Sequence, residues 1–314
     1  MKDVALAAGV SHITASRVVR GVKNVSRETA DRVNDAIERL GYRPDPALSA
    51  LASYRTHGQS KGDGSVLVFL DCDGTAFSQD VLSGVREEAR RHGYLVERVE
   101  LPTPAAKQRQ LDRQLIHRGV RGLLLGPSDA ERNFSAWRWQ EYAAVSLGAL
   151  CHQPLMHAVA SDYFHATYSA TQSLLRLGAH RIGFAVNAGL EARTGHRWLG
   201  GYTAALAGRN AFVFSGVCSE AQKFRSWVRR HRLDALVTNH QEYFAQWRGD
   251  PTQFYMLNAL ASMDDGQPHL VSRPKTIGRE GVRLLHHLLL RREYGVPQTP
   301  QMVSLRGEWR TAGD

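Results

Sequence analysis

The sequence predicts an α/β protein, with a small N-terminal helical unit followed by a two-lobed core built on parallel sheets. Residues 1–44 carry three helical patterns joined by glycine-containing turns. From Ser65 onward, buried strands alternate with amphipathic helices, a pattern typical of a parallel sheet covered by helices. The alternation restarts after Asp162, so the core has two units of one type, and we expect a ligand-binding cleft between them.

Bulk properties narrow the class of protein. The 314 residues, 43% of them hydrophobic, suffice for two or three packed units. No run approaches the roughly 18 apolar residues of a membrane span, and no signal-peptide pattern begins the chain. We therefore expect a cytoplasmic location and no membrane partner. Three widely spaced cysteines and scattered histidines favour neither a disulfide framework nor a metal site, and no motif indicates a cofactor.

The N-terminal patterns predict a helix-turn-helix followed by a third helix. Two helices joined by a tight turn at Gly9 make the first part, and Pro44 prevents the third helix from continuing. Ser11 and Ser26 are placed to cap the second and third helices. The positions expected to be buried are Val4, Ala7, Ala8, Ala15, Val18, Val19, Val33, Ala36, Ile37 and Leu40.

The second helix carries a polar face suited to DNA. In a helix-turn-helix, the N-terminal part of this helix enters the major groove, where Arg17 offers a two-pronged donor to guanine. Residues 1–27 hold five basic side chains and one acidic one, so 5 − 1 gives a local charge of +4. A solvated helix face is the alternative, and for a lone arginine it would be preferred. The hydroxyl groups expected to contact phosphates are those of Ser11, Thr14, Ser16, Ser26 and Thr29.

These residues resemble the DNA-binding headpiece of the LacI/GalR family of bacterial transcription regulators. The match covers residues 2–52 and includes Asp3-Val-Ala-x-x-Ala-Gly-Val-Ser11, Thr14-Ala-Ser-Arg-Val-Val19, Val25-Ser-x-x-Thr29 and Gly41-Tyr-x-Pro44. The resemblance implies that His12, Ile13 and Arg17 read bases, with Arg20 nearby. It also implies a homodimeric repressor on a pseudo-palindromic double-stranded operator, modulated by a small effector.

Residues 45–54 are expected to form a hinge helix, and residues 55–64 a polar, glycine-rich linker. A helix of about two turns is too short to be stable alone in water. The resemblance implies that it folds when two copies meet in the minor groove, where Leu51 acts as a wedge beside Leu48 and Ala52. Ordinary packing of Leu51 is the alternative.

The resemblance continues into the core at residues 65–314, through Gly84-x-x-x-Glu88-Ala-x-x-x-Gly93-Tyr94, Ser161-Asp162 and Leu177-Gly-x-His-Arg-Ile-Gly183. It implies a periplasmic-binding-protein-like fold in which the chain crosses between the lobes three times. We expect residues 65–161 and about 268–295 in one lobe, and 162–260 and about 300–311 in the other.

Effector-binding residues are expected beyond the carboxyl ends of the strands, where ligands bind in open α/β sheets. The side chains at such positions are Asp71, Phe77, Ser128 and Asn239. By resemblance, Asp162 corresponds to an effector-contacting position, as does an arginine just before a Gly-Tyr pair. Here either Arg197 or Trp198 fits that position, and Trp198 can stack on a sugar ring or lie in the core. A carboxylate at a lobe junction suits paired hydroxyl groups, so we expect a saccharide.

Two other functions compete with this interpretation. Val68-Phe-Leu-Asp71-x-Asp73-Gly-Thr75 resembles the first motif of haloacid-dehalogenase phosphatases, in which both aspartates take part in phosphoryl transfer. A motif this short matches by chance, and a turn that uses Asp and Gly for their conformational tolerance explains it equally well. A sugar-binding protein without a DNA role would share the core but not the headpiece. We therefore expect no enzyme activity.

Overall fold

The computed structural model describes residues 2–19, 25–40, 66–128, 131–148, 152–216, 220–239, 241–250, 253–259 and 268–310. The expected hinge helix with Leu48, Leu51 and Ala52, the linker, and Arg20 lie outside these residues. The chain divides into two compact units, residues 1–61 and 62–314. Within the described ranges, no helix combines the length and the apolar character needed to cross a membrane.

Three helices form the N-terminal unit: α1 (Lys2–Ala7), α2 (His12–Val19) and α3 (Arg27–Leu40). Two expected core positions are wrong. Ala7 is exposed, and Ala5 is buried in its place because α1 turns its Val4, Ala5 and Ala8 side inward. The Leu40 side chain is 48% exposed, since it lies one turn beyond Ala36 at the end of α3. The shared core consists of Val4, Ala5, Ala8, Ala15, Val33 and Ala36.

The second unit alternates strands and helices, as the sequence predicts. Its first half contains β1 (Val66–Asp71), α4 (Ala76–Arg91), β2 (Leu95–Glu100), α5 (Ala105–His117), β3 (Gly122–Leu125), β4 (Arg132–Asn133), β5 (Ala143–Leu147), β6 (His152–Gln153) and β7 (His157–Ser161). Its second half contains α6 (Tyr163–Arg176), β8 (Ile182–Ala185), α7 (Ala188–Arg193), α8 (Arg197–Leu206), β9 (Phe212–Phe214), α9 (Ala221–His231), β10 (Ala235–Thr238), β11 (Phe254–Ala259), β12 (His269–Val271), α10 (Pro274–Arg291), β13 (Met302–Leu305) and β14 (Glu308–Arg310).

Each lobe is built on one six-stranded sheet. The first lobe has the order β13-β7-β5-β3-β1-β2, and the second has the order β14-β12-β11-β10-β8-β9. All of these pairs are parallel except β12 with β14, which is antiparallel. In β1, Leu67 and Phe69 enter one apolar cluster while Val68 and Leu70 enter another. Successive side chains of a strand point to opposite faces, so the sheet is covered on both sides, as parallel sheets are.

The chain crosses between the lobes three times, but two crossings lie elsewhere than expected. Strand β12 belongs to the sheet of the second lobe, although residues 268–295 were expected in the first. Strand β13 pairs with β7 in the first lobe, although residues 300–311 were expected in the second. Strand β12 lies between β11 and β14 in its sheet, and β13 forms the edge of its sheet beside β7, a strand distant in sequence. The crossings therefore fall at 161–162, 272–273 and 306–307, where three segments run side by side.

Glycines allow two helix pairs to approach backbone to backbone. A Cβ added at Gly278 of α10 would lie 2.1 Å from the carbonyl oxygen of Val81, and one at Gly84 of α4 would lie 1.9 Å from that of Lys275. In the second lobe, a Cβ at Gly201 of α8 would lie 2.2 Å from the carbonyl oxygen of Phe164. Only a residue without a side chain fits such contacts, which explains why these glycines stand within helices.

Candidate DNA-contacting face and effector cleft

The second helix of the N-terminal unit begins as the sequence predicts. Gly9 adopts a left-handed conformation with φ of 62°, which ends α1 and turns the chain. The Ser11 hydroxyl then accepts a hydrogen bond from the Thr14 backbone N–H at 3.1 Å, which caps α2. Ala15 is fully buried, so the opposite side of α2 faces outward. His12 and Arg17 are exposed, and the Ile13 side chain is 63% exposed.

The expected phosphate-contacting hydroxyl groups have a second role at the two helix N-termini. Ser11 and Thr14 share a hydrogen bond of 2.8 Å, and Ser26 donates one of 2.8 Å to Thr29. Ser26 also accepts from the Thr29 backbone N–H at 3.4 Å, which confirms it as the cap of α3. Ser11 and Ser26 remain exposed, so their oxygen atoms are accessible from outside. Ser16 lies within α2, and its contact with phosphate stays a prediction.

A narrow recess lies where the three crossing segments meet. Two predicted effector-binding residues, Asp162 and Trp198, line it together with Tyr163, Ser272 and Arg306. In this conformation the recess has room for little more than one water molecule. The structure thus brings Asp162 and Trp198 together at the lobe junction, and a saccharide can enter only if the lobes move apart.

Each of these two residues also has a structural role. The Asp162 carboxylate accepts a hydrogen bond from the His165 backbone N–H at 3.0 Å and thereby caps α6. Trp198 is 2% exposed and makes an edge-on ring contact with Tyr163, with ring centroids 5.1 Å apart. Arg197 is exposed and does not line the recess. Of the two alternatives left open by the sequence, Trp198 is the one that lines the recess, and its contact with an effector stays a prediction.

The loop after β1 is held in place by an ion pair. Asp71 is buried and accepts hydrogen bonds from Ser78 at 2.8 Å, the Gly74 backbone at 3.1 Å and Arg98 at 2.7 Å. Burial raises the pKa of Asp71, but these three hydrogen bonds and the Arg98 charge outweigh it, so the pKa lies below its usual value. Both carboxylate oxygens are occupied by the fold. Phe77, the second residue of α4, is half-buried and packs against the core of the first lobe.

Ser128 lies at the point where the two lobes touch. It is fully buried, and its hydroxyl accepts a hydrogen bond from Arg132 at 3.0 Å. Its carbonyl oxygen accepts one from Arg193, which ends α7 in the second lobe. Sequence reasoning missed Arg193. The rule that ligands bind beyond the carboxyl ends of the strands pointed to the loop after β1, and it applies equally to the segment after β8 that contains Arg193.

Two further polar side chains lie on the cleft side of the second lobe. Asn239 directly follows β10, and neither polar atom of its buried amide has a hydrogen-bond partner within the described residues. Glu191 precedes α8 and accepts a hydrogen bond from the Leu199 backbone N–H at 2.9 Å, which caps that helix. Burial raises the pKa of Glu191. The orphaned amide is the kind of group that a bound polar ligand would satisfy.

A helix-turn-helix unit followed by a two-lobed α/β core is the architecture of a class of ligand-responsive regulatory proteins. The family of bacterial regulatory proteins of the lacI type matches residues 1–45. The periplasmic binding proteins and sugar binding domain of the LacI family match residues 63–222, about half of the chain. The chain belongs to the LacI family, which confirms the resemblance seen in the headpiece and the core.

Curated relatives match part of the chain. The HTH-type transcriptional regulator GntR of Pseudomonas aeruginosa is 32% identical over 197 residues, which are 62% of this chain and 54% of that protein. Catabolite control protein A of Priestia megaterium is 29% identical over 206 residues, 65% of this chain and 60% of the relative. The sucrose operon repressor of Escherichia coli is 32% identical over 190 residues, 57% of this chain and 52% of the relative. The chain thus aligns with little more than half of each relative.

Solved structures share the fold. The transcriptional regulator CelR in complex with cellobiose superposes with a TM-score of 0.58 at 19% identity and covers 99% of both chains. The Lac repressor dimer bound to operator and the anti-inducer ONPF gives a TM-score of 0.57 at 17% identity, covering 98% of this chain and 96% of that one. These likenesses confirm the predicted fold class.

Family membership overturns the two competing functions. The phosphatase motif lies in the first lobe of a regulatory protein, and its Asp71 is saturated by Arg98, Ser78 and Gly74. Asp73 accepts hydrogen bonds from the Thr75 backbone at 3.1 Å and the Thr75 hydroxyl at 2.9 Å, as expected of a turn residue. A sugar-binding protein without a DNA role does not account for the match of residues 1–45 to the family of bacterial regulatory proteins.

Proposed function

We propose that this protein is a cytoplasmic, sequence-specific DNA-binding transcription regulator that acts as a repressor. The observation that carries the proposal is the exposed side of α2, on which His12, Ile13 and Arg17 are directed away from a buried core. In a helix-turn-helix this part of the second helix enters the major groove. Arg17 then reads a guanine through two parallel hydrogen bonds, while Ser11 and Ser26 hold phosphates.

The second part of the proposal is that a saccharide in the cleft controls DNA binding. Asp162 and Trp198 line the same recess, and a carboxylate beside an indole ring suits the hydroxyl groups and the apolar face of a sugar. The orphaned Asn239 amide adds a donor and an acceptor on the same side of the second lobe. A ligand that prefers one arrangement of the lobes shifts the protein toward that arrangement, which changes operator affinity.

Selection of binding sites from random DNA tests the function. We expect purified protein to enrich a pseudo-palindrome, and Arg17→Ala to weaken binding to it by about 1–3 kcal/mol because one base contact is lost. Arg39→Ala is the matched control, since it removes the same charge from an exposed position on α3. Enrichment of no sequence, or equal losses for the two variants, would contradict base reading by α2.

A further inference from the structure

An arginine of the second lobe reaches across the cleft to the first. Arg193 is the last residue of α7, which follows the carboxyl end of β8. Its guanidinium donates a hydrogen bond to the carbonyl oxygen of Ser128, just beyond the carboxyl end of β3. Both residues therefore occupy the strand-end positions where ligands bind in open α/β sheets. The side chain is half-buried, so its charge is partly removed from water.

The acceptor of this hydrogen bond carries no formal charge. Among the described residues, no carboxylate oxygen lies within the 4.0 Å of Arg193 that would make an ion pair. A guanidinium taken partly out of water is better satisfied by an anion than by an amide carbonyl, because charge-assisted hydrogen bonds are roughly twice as strong as neutral ones. Arg193 is thus suited to an anionic partner that the described part of the chain does not supply.

A second guanidinium approaches the same residue. Arg132 donates to the Ser128 hydroxyl at 3.0 Å and to the Cys72 carbonyl oxygen at 2.9 Å. Arg132 and Arg193 come from different lobes, and their charges are alike. Ser128 is therefore held by one arginine from each lobe.

Two carboxylates of the strand-end segments are engaged elsewhere. Asp71 is saturated by Arg98, Ser78 and Gly74. Glu191 caps α8 through Leu199, and its pKa is raised by burial, which favours its neutral form. Neither carboxylate offers Arg193 a compensating charge.

We propose that Arg193 is the anion-binding residue of the effector cleft, so that the effector is a saccharide-sized molecule bearing a carboxylate or a phosphate. The proposal rests on the proposed function only in that the cleft binds an effector. The anionic group replaces the Ser128 carbonyl as the acceptor of Arg193. The ligand then lies between the two lobes, at the place where the hydrogen bond from Arg193 to Ser128 now joins them directly. The charge of the ligand therefore affects how the lobes close.

Calorimetric titration of the full-length protein tests the proposal with three probes of one carbon skeleton: D-glucitol, D-gluconate and D-glucose 6-phosphate. We expect at least one anionic probe to bind about tenfold or more tightly than glucitol. Arg193→Gln should remove that preference, and Arg193→Lys, which keeps the charge but not the planar fork, should retain part of it. Preference for the carboxylate or for the phosphate identifies which anion the cleft takes.

Arg225→Gln is the matched control, since it removes an exposed arginine from α9 and should leave the preference unchanged. Thermal unfolding of each variant shows that it is folded, and operator binding is measured on the same samples. Equal affinity for all three probes, binding of none of them, or a preference that survives Arg193→Gln would overturn the inference. If the wild-type protein fails to bind any operator, that separate result contradicts the proposed function and not the anion-binding role of Arg193.

Discussion

At the scale of one residue, Asp71 has a structural role that differs from the catalytic or effector-binding role that its sequence motif suggested. Its position after a buried strand suggested either a nucleophile or an effector contact, yet both oxygens accept hydrogen bonds from the fold. The partner Arg98 lies on β2, and no local pattern links it to Asp71. Caps are different, because they involve neighbours in sequence. Ser11 and Ser26 could therefore be predicted, whereas the roles of Glu191 and Arg193 depend on contacts that only the fold creates.

Asp71→Asn is expected to lower the free energy of unfolding by about 1–3 kcal/mol at pH 7, since charge-assisted hydrogen bonds to Arg98 are replaced by weaker ones. The pKa of Asp71 lies below its usual value in the folded protein. The carboxylate therefore contributes stability that is present above the unfolded pKa of 3.8 and is lost as the pH falls through the folded pKa.

Chemical denaturation of wild type and variant at pH 7 and near pH 3 measures this difference. The gap between the two proteins should be larger at pH 7. The matched control is Asp73→Asn, which changes a less buried aspartate whose contacts lie within the same turn. A gap that stays constant with pH would mean that Asp71 is not held as an anion by Arg98.

At the scale of elements, periodicity and caps located the longer helices well. The sequence pattern predicts a helix from about Tyr163 to Leu177 that stops at Gly178, and the helix runs over Tyr163–Arg176. The pattern also predicts a strand from Ala235 to Thr238, which is found there. Strands β9 and β12 have three residues each, which carry too little pattern, and neither they nor β13 were predicted. The place of β13 is fixed by pairing with β7, which is far away in the chain.

The contact between α4 and α10 gives a prediction of this scale. Gly278→Ala should destabilise the first lobe, because the added methyl group meets the Val81 carbonyl oxygen, and backbone cannot move aside as a side chain can. The cost of overpacking, about 1–3 kcal/mol, exceeds the gain of up to about 1 kcal/mol that alanine brings to a helix.

Gly281→Ala on the same helix is the control, since its added Cβ would meet only the Leu147 side chain, at 2.3 Å. Rotation of that side chain should make this variant the more stable of the two in urea unfolding. Equal stability of the two variants would show that α4 and α10 are not in backbone contact.

At the scale of the whole molecule, the family resemblance implied three crossings between the lobes, and the alternation of strands and helices was enough to predict two α/β lobes. It was not enough to place two of the crossings. The chain leaves the second lobe only after β12, which lies between β11 and β14, and it leaves the first lobe only after β13, which forms the edge of its sheet. Such a choice of sheet depends on the packing of complete lobes rather than on the few residues of the strand.

Assembly into a homodimer is the prediction that belongs to this scale. Sedimentation of the 34.9 kDa chain should give a species of about twice that mass, alone and on its operator, because two recognition helices must reach half-sites roughly 34 Å apart. The logarithm of the operator-binding constant should fall linearly with the logarithm of salt concentration, since basic side chains that neutralise phosphates release counterions. A monomer both free and on DNA would contradict this assembly.

Leu51→Ala tests the same assembly at its expected hinge, where two copies of residues 45–54 meet in the minor groove. We expect a smaller DNA bend as well as weaker binding. An apolar wedge unstacks a base step, which costs energy, but the bend that results brings more protein surface into contact with the DNA. Leu177→Ala is the control, as that leucine is 58% exposed in the second lobe and should change neither quantity. Bend angles follow from circular-permutation gel shifts on the selected operator. An unchanged angle for Leu51→Ala, with affinity also unchanged, would place Leu51 outside the DNA interface and leave α2 to supply the specificity.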